Sequence, residues 1–169
     1  MAQYNIIAEN ENYTIVSDYE AVYRTSEKYQ TEAQLEQELI KNLTEQGYEY
    51  LAIHTEKDLV DNLRVQLQRL NDYTFTDSEW ERFFNDVIAN PNEGIEAKTA
   101  KIQEDHIQVL KRDTGETKNI YLIDKRNIHN NYLQVINQYE EEHGNHDARY
   151  DVSILVNGLP LVHIELKRR

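Results

Sequence analysis

With 169 residues, this chain can bury one sizeable core and is too short for two ordinary domains. It holds no cysteine, which removes disulfides, thiolate catalysis and thiolate zinc sites; the polar start MAQYNIIAENENY lacks a secretion signal, and no apolar run approaches membrane-spanning length. A soluble, intracellular, cytoplasmic protein is expected, and its 18 basic against 31 acidic residues, net −13, repel nucleic acid, so any action on DNA needs partners that hold the duplex.

In chain order, Tyr13 to Val16 is a short strand-like run ahead of a polar connector. From Thr31 the pattern turns helical: Leu35, Leu39, Ile40 and Leu43 recur at helical spacing, Thr31 and Gln34 fit a capping box, and Gly47 sits where a helix ends. At about 100° per residue, Glu32 and Glu36 fall inside the apolar stripe. A carboxylate there is paired, capped or used. For Glu32 the helix dipole suffices; for Glu36 an ion pair does; a role in a metal site stands level with both.

YEYLAIH, residues 48–54, reads as a strand, and Leu59, Val60, Leu63, Leu67 and Leu70 mark a second helix. Thr76 and Glu79 form a capping box before Trp80, Phe83, Phe84, Val87 and Ile88, a core stripe ended near Pro91. A short fourth helix is expected from Gly94 to Ile102, then a hairpin of Ile107–Leu110 and Ile120–Ile123 around Asp113–Glu116. Tyr132–Tyr139 alternates imperfectly and fits a strand or a helix, and Glu140–Arg149 reads as a loop. These elements predict a single α/β or α+β domain, a mixed sheet flanked by helices with a helical insertion.

The chain closes on RYDVSILVNGLPLVHIELKRR, where Asn157-Gly158 between aliphatic runs signals a β-hairpin. Val152, Ile154, Val156, Pro160, Val162, Ile164 and Leu166 are apolar at even positions, and odd positions carry Asp151, Ser153, His163, Glu165 and Lys167. Side chains alternate faces, so one face is expected in the core and one to be reactive. Matching the apolar faces requires an odd loop, predicted as three residues with a bulge at Gly158. Asp151, Glu165 and Lys167 then share a face.

Two carboxylates beside an ammonium suit a hard divalent cation such as Mg²⁺, with Lys167 placed to orient water or offset charge. As pattern alone, a solvated face of an edge hairpin accounts for these charges better. Glu-x-Lys recurs at Glu96 to Lys98 and at Glu116 to Lys118, so spacing decides nothing in a chain that is 29% charged. Only Glu165-Leu166-Lys167 follows a strand whose partner brings an aspartate to the same face. His143 and His146 lie in a Gly/Asn loop, where a surface role is the stronger account; His163 fits a substrate contact or a structural histidine equally well. Arg168 and Arg169 form a small basic end suited to a phosphate backbone. The five glycines are isolated, so no phosphate-binding loop exists here.

Asp151, followed after thirteen residues by Glu165-Leu166-Lys167, resembles the PD-(D/E)xK nuclease signature. Together with TEAQLEQELIKNLTEQGYEY, DSEWERF and KNIYLID, the closing hairpin resembles the N-terminal part of the restriction (R) subunit of type I restriction-modification enzymes, over nearly the whole chain. The resemblance implies a restriction-endonuclease-like domain over residues 1–169 that cuts double-stranded DNA with Mg²⁺. It further implies a translocase that uses ATP through later domains, and separate specificity and methylation subunits. Carried over by position, Asp151, Glu165 and the Leu166 backbone carbonyl would hold metal, Lys167 would be the catalytic lysine, and Glu32 or Glu36 the acid of the first helix; His163, Arg168 and Arg169 would be candidate DNA contacts. Tyr150 stands where the family usually has proline. The family's Gln-x-x-x-Tyr helix would follow Arg169, so an N-terminal fragment is expected. The competing function is a non-catalytic docking domain that keeps the nuclease fold.

Overall fold

A computed structural model describes residues 5–9, 14–17, 31–141 and 148–167. Helix α1, Glu32–Glu45, starts where Thr31 Oγ1 accepts the Gln34 N–H and the Gln34 side chain accepts the Thr31 N–H, the reciprocal cap the sequence predicts. Its apolar side, Leu39, Ile40 and Leu43, packs on Val135, Val152, Ile154, Ile164 and Leu166 of the sheet. The Thr76 and Glu79 capping box is likewise present at the start of α3.

The elements run β1 (Asn5–Glu9), β2 (Thr14–Ser17), α1, β3 (Glu49–Tyr50), α2 (Glu56–Asn71), α3 (Asp77–Phe83), a π-helical turn, α4 (Ile95–Gln103), β4 (Ile107–Lys111), β5 (Thr117–Tyr121), a 3₁₀ turn, β6 (Leu133–Glu141), β7 (Ala148–Val156) and β8 (Leu159–Ile164). The main sheet has the order β3-β6-β7-β8, with β3 parallel to β6 and the other pairs antiparallel. Helix α1 covers one face; Leu59 of α2 joins Leu51, Ile53, Ile136, Tyr139 and Leu155 on the other. Between β3 and β6, helices α2 and α3 and the β4-β5 hairpin close a second core around Leu67, Phe75, Phe83, Leu110 and Ile120. The mixed α+β fold with a flanked sheet is therefore as expected. No helix among the described residues is long and apolar enough to cross a membrane.

Several boundaries differ from the sequence pattern. Of the 48–54 run only Glu49–Tyr50 pairs, although the Leu51 N–H still donates to Val135 O. Tyr132–Tyr139 is a strand, and β6 and β7 extend into the expected loop, with Glu140 opposite Arg149 and Glu141 opposite Ala148. The imperfect alternation has a cause: β6 is buried on both faces, carrying Val135 and Ile136 as well as the wholly buried Gln134, whose amide meets Asn62 and Glu49.

The last turn is also built differently. Val156 pairs with Leu159, leaving a two-residue loop in which Asn157 (φ 52°) and Gly158 (φ 81°) are both left-handed, the signature of a type I′ turn. The odd residue sits further on, at a bulge that leaves Leu161 outside the ladder, since Ile154 pairs with Val162 and Leu155 with Pro160. Parity is restored there, so Val152 and Ile154 do face the same side as Val162 and Ile164. Pro160 and Val162, expected in the core, are exposed because β8 is the edge of the described sheet.

Candidate functional site

The odd face of β7 is not an open reactive face along its length. Leu155 is fully buried under α2, and Ser153 is 1% exposed. Toward its start the strand is less enclosed, and Asp151 is half-buried. Continuing the pairing of Val152 with Ile164, Glu165 falls opposite Asp151, one step beyond the end of the ladder.

At that open end, Asp151 Oδ2 accepts the Leu166 N–H at 2.6 Å. This bond clasps the segment after β8 to β7, and Leu166 anchors it by packing into the α1 cluster. The clasp leaves Glu165 and Lys167, on either side of Leu166, pointing into solvent, where Lys167 Nζ lies 3.2 Å from Glu165 Oε1. Their side chains are 66% and 75% exposed, so the pair adds little to stability. Asp151, Glu165, Leu166 and Lys167 are thus brought to one place.

The two first-helix glutamates separate cleanly. Glu32 is exposed in the first turn of α1, where the helix dipole favours it. Glu36 is buried, and its Oε1 accepts Asn137 Nδ2 at 2.5 Å, while Gln138 Nε2 stands 3.4 Å from both of its oxygens. No cation neighbours Glu36 among the described residues, so an ion pair, one of the two accounts the sequence left level, is not what holds it there. Two neutral amides do so, from the strand next to Asp151.

His163 is exposed on β8, its Nδ1 2.8 Å from Ser153 Oγ and its ring stacked on Tyr150 at 4.0 Å and 19°. The stack and the hydrogen bond fix the ring plane beside the charged end. Tyr150, at the place of the family's proline, therefore has a structural task. Arg168, Arg169, His143 and His146 lie outside the described residues.

The donor set suits a hard cation. Asp151 and Glu165 offer carboxylate oxygens, and the chain between them offers main-chain carbonyls, Leu166's included. No group of three or more His, Asp or Glu residues gathers around a single point among the described residues.

Asn137, Gln138, Ser153 and Tyr150 escape a search for acids and bases. The sequence signal of Asn137 and Gln138 is the run of amides in β6, which Ser153 and Tyr150 of β7 do not share.

A four-stranded mixed sheet with a helix on each face, presenting an acid, a second acid and a lysine at the open end of its last hairpin, defines a helix-flanked α+β protein built to offer charge at a sheet rim. Residues 29–169 match the family described as Type I restriction enzyme R protein N terminus. The chain belongs to that family. It is 46% identical over 164 residues to the Escherichia coli Type I restriction enzyme EcoprrI endonuclease subunit, covering 96% of this chain and 52% of that protein. It is 39% identical over 146 residues to the Staphylococcus saprophyticus SsaAORF53P endonuclease subunit, and 38% identical over 148 residues to the SauCOLORF180P subunit of Staphylococcus aureus strain COL. Each of those alignments covers 83% of this chain and 15% of the relative. The chain thus spans about half of one relative and a small part of the others.

Proposed function

We propose that residues 1–169 form the Mg²⁺-dependent endonuclease domain of a type I restriction enzyme R subunit, a PD-(D/E)xK site that cuts double-stranded DNA. The relatives' names, endonuclease subunits of type I restriction enzymes, support the activity. The observation that carries the residue assignment is the Asp151–Leu166 clasp, which sets Glu165 and Lys167 beside Asp151 at an open rim.

In this proposal Asp151, Glu165 and the Leu166 carbonyl hold the ion, and Glu36 is the acid of the first helix. Mg²⁺, when bound, would acidify a water and offset charge on the phosphoryl oxygens. The Lys167 ammonium would orient an attacking water and neutralise charge growing in the transition state. The water oxygen bonds to phosphorus, the bond from phosphorus to a sugar oxygen breaks, and the displaced proton leaves through solvent. His163, Arg168 and Arg169 are proposed DNA contacts.

A net charge of −13 requires the duplex to be held elsewhere. Specificity and methylation subunits, and ATP-driven domains of the same cytoplasmic complex, would do that. Lys167→Ala in the full-length subunit, assembled with its partners, is expected to abolish cleavage while ATP hydrolysis continues. Cutting at the unaltered rate would remove the assignment.

A further inference from the structure

Resting on the nuclease function just proposed, we infer that Gln138, together with Asn137, is a positioning residue that holds Glu36 beside the Asp151 rung, where Glu36 accepts hydrogen bonds from water ligands of the bound cation.

Gln138 has φ 54° inside a β-strand. A glutamine has no intrinsic preference for left-handed backbone, and such outliers persist only where the surroundings over-determine them. The outlier has a definite address. Asn137 pairs with Val152 and Tyr139 with Tyr150, so Gln138 stands opposite Asp151, and that rung is missing from the ladder. The distortion therefore falls at the strand position that bears the proposed metal ligand.

Its consequence is a grip on Glu36. In a regular strand, Asn137 and Gln138 would point to opposite faces. Here both amides reach the same carboxylate, Asn137 Nδ2 at 2.5 Å and Gln138 Nε2 at 3.4 Å from each oxygen. Asn137 is itself oriented, since its Oδ1 accepts the Tyr50 hydroxyl at 2.9 Å. A buried carboxylate normally meets a cation or a metal, and Glu36 meets neither among the described residues. Held there, on the strand next to the proposed ligand Asp151, Glu36 is assigned to the water shell that Mg²⁺ retains.

The test is Mn²⁺ binding, followed by calorimetry on the nucleotide-free, full-length subunit, with melting temperature recorded on the same samples. Asp151→Ala should abolish the site. Gln138→Gly should weaken Mn²⁺ by about tenfold, the usual cost of losing an outer-shell partner. It should melt no lower than the wild type, because glycine accepts the left-handed backbone without strain. Gln138→Asn, which keeps an amide and tolerates that backbone, should recover part of the loss. Combined with Glu36→Gln, the Gln138→Gly change should add almost nothing, since both act through one carboxylate. Unaltered Mn²⁺ affinity in Gln138→Gly, or full additivity with Glu36→Gln, overturns the positioning role while leaving the nuclease proposal standing. A wild-type protein without Asp151-dependent Mn²⁺ binding removes both.

Discussion

The two ends of the β7-β8 hairpin are built on opposite terms. At the turn, Asn157 is 1% exposed; its side chain donates to Leu122 O and Asn131 Oδ1 and accepts from Tyr132 N, while its own N–H donates to Tyr132 O. Gly158 lies against the backbone of Leu63 in α2. At the other end one bond, from Leu166, holds Asp151 among the described residues, and Glu165 and Lys167 stand in solvent. The closed end spends its polar groups on the fold, and the open end withholds them. A hairpin so anchored at one end can present charged groups at the other without relying on them for stability.

The largest effect expected is at the closed end. A Cβ at Gly158 would stand 2.6 Å from Leu63 Cα, a backbone atom that cannot swing aside, and the φ of 81° adds strain for any other L-residue. Gly158→Ala should therefore destabilise the fold by roughly 2–4 kcal/mol, from overpacking plus left-handed backbone, read as a lowered urea midpoint. A loss below about 1 kcal/mol would show that α2 yields and that the turn is not the anchor.

A smaller effect belongs to the rim of the second core, the core into which Leu159 of the hairpin also packs. Asp113, in the β4-β5 turn, accepts from Ser78 Oγ at 2.7 Å, from Thr76 Oγ1 at 2.5 Å and from Arg82 at 2.7 Å. These hydrogen bonds hold its carboxyl down to about 2. The unfolded chain, with an ordinary carboxyl near 3.9, binds more protons than the folded one between those values, so stability rises with pH there. The contribution is complete above about pH 4 and lost as pH falls through about 2. Trp80, in α3 beside this contact, should report it: its emission is expected to shift with acid in the wild type, and less steeply in Asp113→Asn. Identical acid transitions would place the cause in other carboxylates.

How much of this could be seen in the sequence follows the range of the forces involved. Both capping boxes and the Asn-Gly turn are local chemistry, and the residues that make them are adjacent in the chain. The bulge at Leu161 is not local: a three-residue loop satisfies the same parity, and only the packing of Gly158 on Leu63 requires the tighter turn. Ser153 reads as a solvent-facing residue, yet it is buried and engaged by His163. At the site, the acid and lysine spacing was visible, and so was the anomaly of Glu36 in an apolar stripe. The left-handed Gln138 was not, because nothing in glutamine's chemistry signals positive φ.

The smallest stability effect is expected at the open end, and it is the one that separates the two ends most sharply. The Lys167 side chain is 75% exposed and its partner Glu165 is 66% exposed, so removing the amine should cost no more than about 0.5 kcal/mol. The same Lys167→Ala variant that is expected to lose cleavage should thus unfold at the wild-type urea midpoint. If its midpoint instead falls as far as that of Gly158→Ala, the open end is part of the scaffold, and lost cleavage would then report a damaged fold. An unchanged midpoint with lost cleavage assigns Lys167 to chemistry, since a side chain that contributes nothing to folding has only its charge at the rim left to lose.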